Sequence, residues 1–322
     1  MRDLTVCTSK GHFMTQVAPH DLSKIREHPD QTIWLDVESP TEDDFEFLRE
    51  EFQFHPLAME DATRRHQRPK VDSYGSYYFV VFYAINVDDQ TSRLMLTPLY
   101  MFIGHNYLVT VHPRPISQIG ETLRRWRDPK SPLGLDMGGL IYALLDAIVD
   151  DYFPVIDHVA DRIDDMEQQI FAEVKDDALQ TIFSLKKDLL AVRRVVAPER
   201  DVLNIMLRRE IPVFEADDVT YLQDVYDHIV RIIDSLDTYR ELLSSALDSY
   251  LSVQSNKLNQ VVKALTVTSI VLMSATLVAG VYGMNFVHMP ELQWRFGYAW
   301  ALALMALISI GVVIFFRRIK WL

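Results

Sequence analysis

The sequence predicts an α+β cytoplasmic domain, then a very long stalk helix, then a hairpin of two transmembrane helices. Three observations carry that reading. Strand-like runs are confined to the first 115 residues, and no Gly or Pro occurs between Asp217 and Gly280. Two uncharged apolar stretches close the chain, Leu265–Tyr282 of 18 residues and Tyr298–Phe316 of 19.

Residues 1–115 read as mixed α/β. Thr32–Val37 has the β-branched and aromatic content of a strand. Ser39-Pro40-Thr41-Glu42 places an N-cap, a proline at N1 and a Glu at N3 before a helix ending at Phe52. Three β-rich runs follow, Tyr77–Asn86, Leu94–Ile103 and Tyr107–His112, joined at Asp88-Asp89-Gln90 and Gly104-His105-Asn106. Beyond Pro115 the pattern turns helical, in an acidic region over residues 116–216. Helices are expected over Ile116–Arg127, over Met137–Phe171 with a kink at Pro154, and over Ala178–Arg209. Asp146–Asp177 holds eleven acids against two bases, a density that attracts cations or a basic partner.

The stalk helix covers residues 217–264 and continues into the first apolar stretch, which at 1.5 Å per residue gives on the order of 100 Å of unbroken helix. Val219, Leu222, Tyr226, Ile229, Ile233, Leu236, Leu243, Leu247 and Tyr250 follow heptad-like spacing, interrupted only by Arg240. So long a stripe is expected to pack against other copies of the chain.

The apolar stretches, 265–282 and 298–316, are each long enough to cross a hydrocarbon core of about 30 Å. Lys257 and Lys263 precede the first, Arg317, Arg318 and Lys320 follow the second in the basic tail 317–322, and the loop 283–297 holds only Arg295. The positive-inside rule then places both termini in the cytoplasm of a cell (inner or plasma) membrane protein that crosses twice. The N-terminus lacks the apolar core of a signal peptide. Residues 1–264 carry 44 acids and 28 bases, which excludes a nucleic-acid binder; Arg64, Arg65, Arg68 and Lys70 are expected to be local ion-pair partners. One cysteine, Cys7, excludes disulfides and cysteine-ligated metal clusters. No G-x-x-x-x-G-K-[ST] loop points to ATP, and the histidines show no H-x-x-x-H spacing, so an enzyme is not expected.

Just after the first span comes Tyr282-Gly283-Met284-Asn285-Phe286, followed by Met289-Pro290-Glu291-Leu292. A Gly-Met-Asn triplet at the outer end of a span, with a second span behind it, resembles the CorA family of magnesium and cobalt transporters. Trp34-Leu35-Asp36, Glu60-Asp61, Gln67-Arg68-Pro69-Lys70, Asp150-Asp151-Tyr152-Phe153, Asp224-Val225-Tyr226-Asp227-His228 and Lys320-Trp321-Leu322 extend the resemblance along the chain. It implies a funnel-shaped homopentamer whose first membrane helix lines a central pore. The zinc-transporting branch of that family carries Ile where this chain has Met284. Many relatives carry proline where this chain has Ser274.

The residues themselves support a pore. Val262, Leu265, Ser269, Met273, Thr276 and Gly280 recur at spacings of three and four and share one helix face. Gly283, Met284, Asn285 and the loop acid Glu291 lie above that face, and Asp248 and Asn259 below it. Mg2+ gives up its water reluctantly, so a ring of neutral Asn285 amides suits a hydrated ion better than a carboxylate trap. The resemblance places a hydrophobic constriction at Leu265 and Met273. It also implies a regulatory cytoplasmic Mg2+ site between subunits, with Asp224 as one ligand and Asp88 and Asp89 as candidate partners.

The expected function is passive uptake of hydrated Mg2+, with Co2+ or Ni2+ as further cargo, driven by the membrane potential. A divalent ion gains about 4.6 kcal/mol across 100 mV. The alternatives are a zinc or broad divalent transporter, proton-coupled or not, and a membrane-anchored cation sensor that conducts nothing.

Overall fold

The computed structural model describes residues 2–8, 11–15, 22–64, 67–88, 94–128, 136–172, 178–208, 211, 213–214, 216–285 and 289–321. The chain divides into two compact units, 1–168 with 177–245, and 169–176 with 246–322.

The first unit is built on a seven-stranded mixed sheet in the order β2-β1-β3-β7-β6-β5-β4. Its strands are β1 (Arg2–Thr8), β2 (Phe13–Met14), β3 (Gln31–Glu38), β4 (Lys70–Ser73), β5 (Tyr78–Val87), β6 (Leu94–Ile103) and β7 (Tyr107–His112). β3 and β7 pair in parallel and every other neighbour is antiparallel. The two edge strands are the shortest, which limits the unpaired backbone offered to another chain. The strands expected at β3, β5, β6 and β7 form within one residue of their predicted limits. The Gly104–Asn106 turn joins β6 to β7, with the Gly104 N–H donating to the Tyr107 carbonyl at 2.8 Å. The second expected turn falls largely on Asp89 and Gln90, outside the described residues.

Helix α2 (Glu42–Phe52) corrects the expected cap. Thr41, not Ser39, is the N-cap, and Asp44 at N3 accepts from the Thr41 backbone N–H and hydroxyl, both at 2.8 Å. Ser39 instead takes a left-handed φ of 50° and turns the chain between β3 and α2. Arg2 also donates to Asp44. Burial would raise the Asp44 carboxyl, and these hydrogen bonds outweigh it and hold it below the usual carboxylate range.

A buried polar chain ties the parallel pair together. Trp34 Nε1 donates to Thr110 Oγ1 at 2.9 Å, Thr110 donates to Asp36, and His112 Nε2 lies 3.1 and 3.2 Å from the two Asp36 oxygens. His112 Nδ1 meets the Arg114 carbonyl, an acceptor only, and Nε2 meets a carboxylate, so the two contacts together favour the doubly protonated ring. Burial alone would lower its pKa; the hydrogen bond and charge of Asp36 overcome that and raise it. A raised folded-state pKa stabilises the fold fully below the unfolded value of about 6.5 and loses that contribution as pH rises through the folded value. The unfolding midpoint of the full chain is therefore expected to fall over that window, and His112→Gln to remove this component. A variant whose pH profile overlays the wild type would place the ionisation elsewhere.

A second buried carboxyl has no signal in the sequence pattern. At Tyr83 the ladder is interrupted: Pro98 stands opposite in β6, and β4 ends where Lys70 meets Val81. The Tyr83 N–H donates to Glu199 Oε1 at 2.9 Å, and the Tyr152 hydroxyl donates to the Tyr83 carbonyl. Tyr152 Oη also lies 3.1 Å from Glu199 Oε2. The Tyr152 hydroxyl thus donates towards both the Tyr83 carbonyl and the Glu199 carboxyl. Complete burial drives the Glu199 pKa well up, against the Tyr83 and Tyr152 bonds that favour its charged form.

Beyond the sheet, α4 (Ser117–Arg127) forms as expected. The predicted long helix divides into α5 (Met137–Asp150) and α6 (Tyr152–Ala172) at Asp151. Pro154 explains the position, since its missing N–H would have bonded the Asp150 carbonyl. Helix α7 (Ala178–Leu207) carries Pro198 inside it without ending there. Helix α8 (Ala216–Tyr282) is a single run of 67 residues, as the missing Gly and Pro predicted.

The stripe on α8 is not left for other copies. Of its members, Leu222, Ile229, Ile233, Leu236, Leu243 and Tyr250 are buried within the chain itself, and Val219, Tyr226 and Leu247 are half-buried. Neighbouring helices cover them: Tyr142 of α5 meets Tyr221, Phe153 of α6 meets His228, and Arg193 of α7 pairs with Asp237 at 3.0 Å. From Leu222 to Leu243 the buried members of the seam therefore mark packing inside the first unit.

In the second unit, α8 ends at Tyr282, a 3-10 turn covers Pro290–Gln293, and α9 (Gly297–Arg318) returns. A Cβ on Gly297 would overlap the Glu291 carbonyl, so this turn requires glycine there.

Candidate ion pathway and metal centre

The apolar end of α8 and the whole of α9 are long and apolar enough to cross a membrane. Only 11% and 6% of their most apolar windows are buried, whereas core helices of a water-soluble fold would be covered. Trp294, Phe296, Tyr298 and Trp300 are exposed around the start of α9, and Trp321 is exposed beyond its end, as aromatic residues at a bilayer interface are. The hydroxyls of Thr266, Thr268, Ser274 and Thr276 each donate to the carbonyl four residues back at 2.8–2.9 Å. Their polarity is thus satisfied inside the helix, as hydrocarbon requires. Ser274, where a proline was noted in relatives, continues an unbroken helix.

Asp248, Asn259, Val262, Leu265, Ser269, Met273, Thr276 and Gly280 are all exposed on α8. The buried residues in this part of the helix, Val267 and Val278, lie roughly 170° around the axis from that face at 3.6 residues per turn. Met273, Thr276, Gly280 and Met284 share one concave surface. Small and hydroxyl residues at a helix contact within the chain would be covered; these are open.

Gly283 closes the helix, its N–H donating to the Ala279 carbonyl at 2.9 Å, and the Met284 N–H donates to Val281 at 3.3 Å. A Cβ on Gly283 would stand 3.1 Å from the Ala279 oxygen, a tight contact that would push the last helical turn by a few tenths of an ångström. Asn285 follows at once, exposed and outside regular structure. The C-terminus of α8 adds its partial negative charge beneath the amide. Glu291 is exposed on the 3-10 turn. Phe286, Val287 and His288 lie outside the described residues.

A separate cluster forms in the first unit. Helices α5 and α8 run in the same direction, with Tyr142 against Tyr221 and Asp150 beside His228. Gly138 permits the approach, since a Cβ there would overlap the Asp218 carboxylate. Asp146 and Asp150 are four residues apart on α5, as are Asp224 and His228 on α8, so each pair faces the other helix. One ligand atom from each of Asp146, Asp150 and His228 lies within 4.8 Å of the others. The trans ligands of a six-coordinate Mg2+ stand about 4.2 Å apart, so one ion can bridge such a group.

Burial and like charge act on the acids of this cluster together. Burial, then the Asp150 charge, raises the Asp146 carboxyl, with Asp224 adding to it and Arg125 and His228 opposing. Burial and the same carboxylates push the Tyr142 hydroxyl up to about 12. His228 Nδ1 is buried with no hydrogen-bond partner among the described residues, although Asp150 Oδ1 stands 3.2 Å away, because the two are not aligned. Asp224 Oδ1 lies 3.8 Å from His228 Nε2.

Of the regulatory residues expected from the sequence, Asp224 joins this cluster. Asp88 ends the β5 hairpin arm and is not part of it, and Asp89 lies outside the described residues. Asp146, Asp150 and His228 show no H-x-x-x-H spacing, so the sequence pattern alone did not bring them together. The usable signal was a pair of i,i+4 patterns, Asp-x-x-x-Asp and Asp-x-x-x-His, on separate helices.

A family model described as CorA-like Mg2+ transporter protein matches residues 29–318. A cobalt/magnesium transport protein CorA of Thermotoga maritima is 36% identical over 274 residues, covering 84% of this chain and 78% of its own. YfjQ of Bacillus subtilis is 34% identical over 321 residues, covering 100% of this chain and 98% of its own. The complete structure of a CorA magnesium transporter from Methanocaldococcus jannaschii superposes with a TM-score of 0.85 at 24% identity, covering 100% of this chain and 99% of that one. At that identity the likeness is one of fold.

Proposed function

The chain belongs to the CorA-like Mg2+ transporter family, and from that premise we propose that it carries hydrated Mg2+, and also Co2+ or Ni2+, passively into the cell. The observation that carries the reading is the exposed face of α8, opposite its buried side, running from Asp248 to the Gly283-Met284-Asn285 end. A single copy leaves this face open to hydrocarbon, which suits neither Ser269 nor the Gly280 backbone; a ring of copies, five by family resemblance, turns it inward around a pore. Both termini then lie in the cytoplasm, with Arg317, Arg318 and Lys320 beside the inner leaflet.

Entry begins at Asn285, whose amide oxygens accept hydrogen bonds from the water of the ion, with Glu291 concentrating cations nearby. Below, no acid occurs between Asp248 and Glu291, so the ion meets no deep carboxylate well and can leave as readily as it enters. Leu265 and Met273 close the path by excluding water. Flux of Mg2+, Co2+, Ni2+ and Zn2+ into dye-loaded liposomes carrying the purified protein tests the assignment. Saturable, potential-driven Mg2+ entry is expected, and entry of Zn2+ alone, or of no ion, rejects it.

The gate gives a separate prediction. Met273→Asp places a charge where water must be excluded, so the closed pore should wet and conduct at high internal Mg2+, where the wild type is shut. An unchanged closed-state current in that variant moves the gate to Leu265.

A further inference from the structure

We infer that a cavity of about 640 Å³ in the first unit, rimmed by Arg68, Arg114 and Arg194, binds a phosphate-bearing organic anion of nucleoside-phosphate size. The three arginines come from three places in the fold: the segment before β4, the segment after β7, and the middle of α7. They differ from the basic residues around them. Arg64 pairs with Glu60, Lys70 with Asp61 and Asp72, Arg193 with Asp237, and Arg200 with Asp201. Neither Arg68, Arg114 nor Arg194 has a carboxylate partner among the described residues, in a chain with 45 acids to 32 bases. The sequence-based expectation that Arg68 serves a local ion pair is therefore not met.

A guanidinium cannot shed its charge, so three of them around one cavity repel until an anion enters. Their planar forks match phosphate oxygens in pairs. Two of the arginines stand on fixed backbone. The Tyr83 hydroxyl donates to the Gln67 carbonyl at 2.6 Å, next to Arg68, and the buried His112 ring donates to the Arg114 carbonyl. Arg194 is held by the helix itself. The remaining wall is apolar and ringed, with Tyr83, Leu96, Pro98 and Val195. A free inorganic anion would leave that wall unused, whereas a base or sugar attached to a phosphate covers it.

The test is calorimetric titration of the full chain in detergent, stripped of divalent ions with EDTA, using ATP, ADP, pyrophosphate and inorganic phosphate. We expect one saturable site per chain for the nucleotides, weaker binding of the inorganic anions, and a loss of about tenfold or more for each of Arg68→Gln, Arg114→Gln and Arg194→Gln. The corresponding Arg→Lys variants keep the charge, lose the fork, and should fall between. Because the three side chains are exposed, the unliganded melting temperature should stay at the wild-type value. Absence of nucleotide binding at millimolar concentration overturns the inference, as does binding that the substitutions leave intact. Dissociation of the oligomer by Arg194→Gln also overturns it, since the arginines would then be holding a neighbouring copy.

Discussion

Asn285→Ala is expected to abolish Mg2+ influx while the protein still assembles in the membrane. The size of the effect follows from what the amide replaces. A hydrated Mg2+ holds its first water shell too tightly to shed it at the pore mouth, so recognition must act on that water, and a methyl group accepts nothing from it. Asn285 is the first residue past the glycine that ends α8, exposed and outside the helix, so its removal disturbs no packed side chain. Gly283→Ala should reduce flux for a different reason: its Cβ would stand 3.1 Å from the Ala279 carbonyl and shift the turn that presents the amide. Two measurements check the assignment, ion flux in liposomes and oligomer size in detergent. A hexaammine cation matching the hydrated ion in size should block the wild type from the outside. Normal flux in an assembled Asn285→Ala protein would falsify the filter assignment.

What the sequence made legible was set by local signals. The uncharged stretches, the absence of Gly and Pro before Gly280, and the alternating runs of β5, β6 and β7 are each read from neighbours in the chain. Features that depend on distant residues were not readable in that way. The heptad-like spacing on α8 was real, but spacing cannot say who covers the stripe, and α5, α6 and α7 of the same chain do so. Glu199 looks like any helical surface acid until Tyr83 and Tyr152 are brought to it from 116 and 47 residues away. The exposed face of α8 was legible because one helix carries it, whereas the Asp146, Asp150 and His228 cluster needs α5 and α8 together. Asp150, Asp224 and His228 had appeared only within motifs recognised by resemblance, and Asp146 only at the start of an acidic run.

The cation cluster leads to the second large effect, on regulation. Asp146, Asp150 and the half-buried His228 converge, with Asp224 3.8 Å from the histidine, and burial, then the Asp150 and Asp224 charges, raises the Asp146 carboxyl. For a carboxylate this direction has a definite sign: above its unfolded pKa, near 4, the shift opposes the packed arrangement. A bound Mg2+ removes that opposition, so it stabilises the arrangement in which α5 and α8 lie together. A ligand acts on a gate only through different affinity for two states. We therefore expect filled sites to hold the closed state and emptied sites to loosen it when internal Mg2+ falls, with α8, which runs unbroken to Tyr282, carrying the change. Asp224→Lys supplies a fixed positive charge in place of the ion. Protection from proteolysis by added Mg2+ should shrink, its midpoint moving about tenfold or more, and flux should lose its dependence on internal Mg2+. His228→Asn should separate the ions, costing Co2+ protection more than Mg2+ protection, because imidazole suits the transition metal while Mg2+ keeps oxygen and water. Lower pH should weaken both, since protons compete with the ion for the raised Asp146 carboxyl. If Asp224→Lys kept the wild-type Mg2+ dependence in both proteolysis and flux, the cluster would be no sensor. Regulation would then have to be sought among the remaining acids of α6, such as Asp157, Asp161 and Asp164, which surround Tyr239 and contribute to its raised pKa after burial.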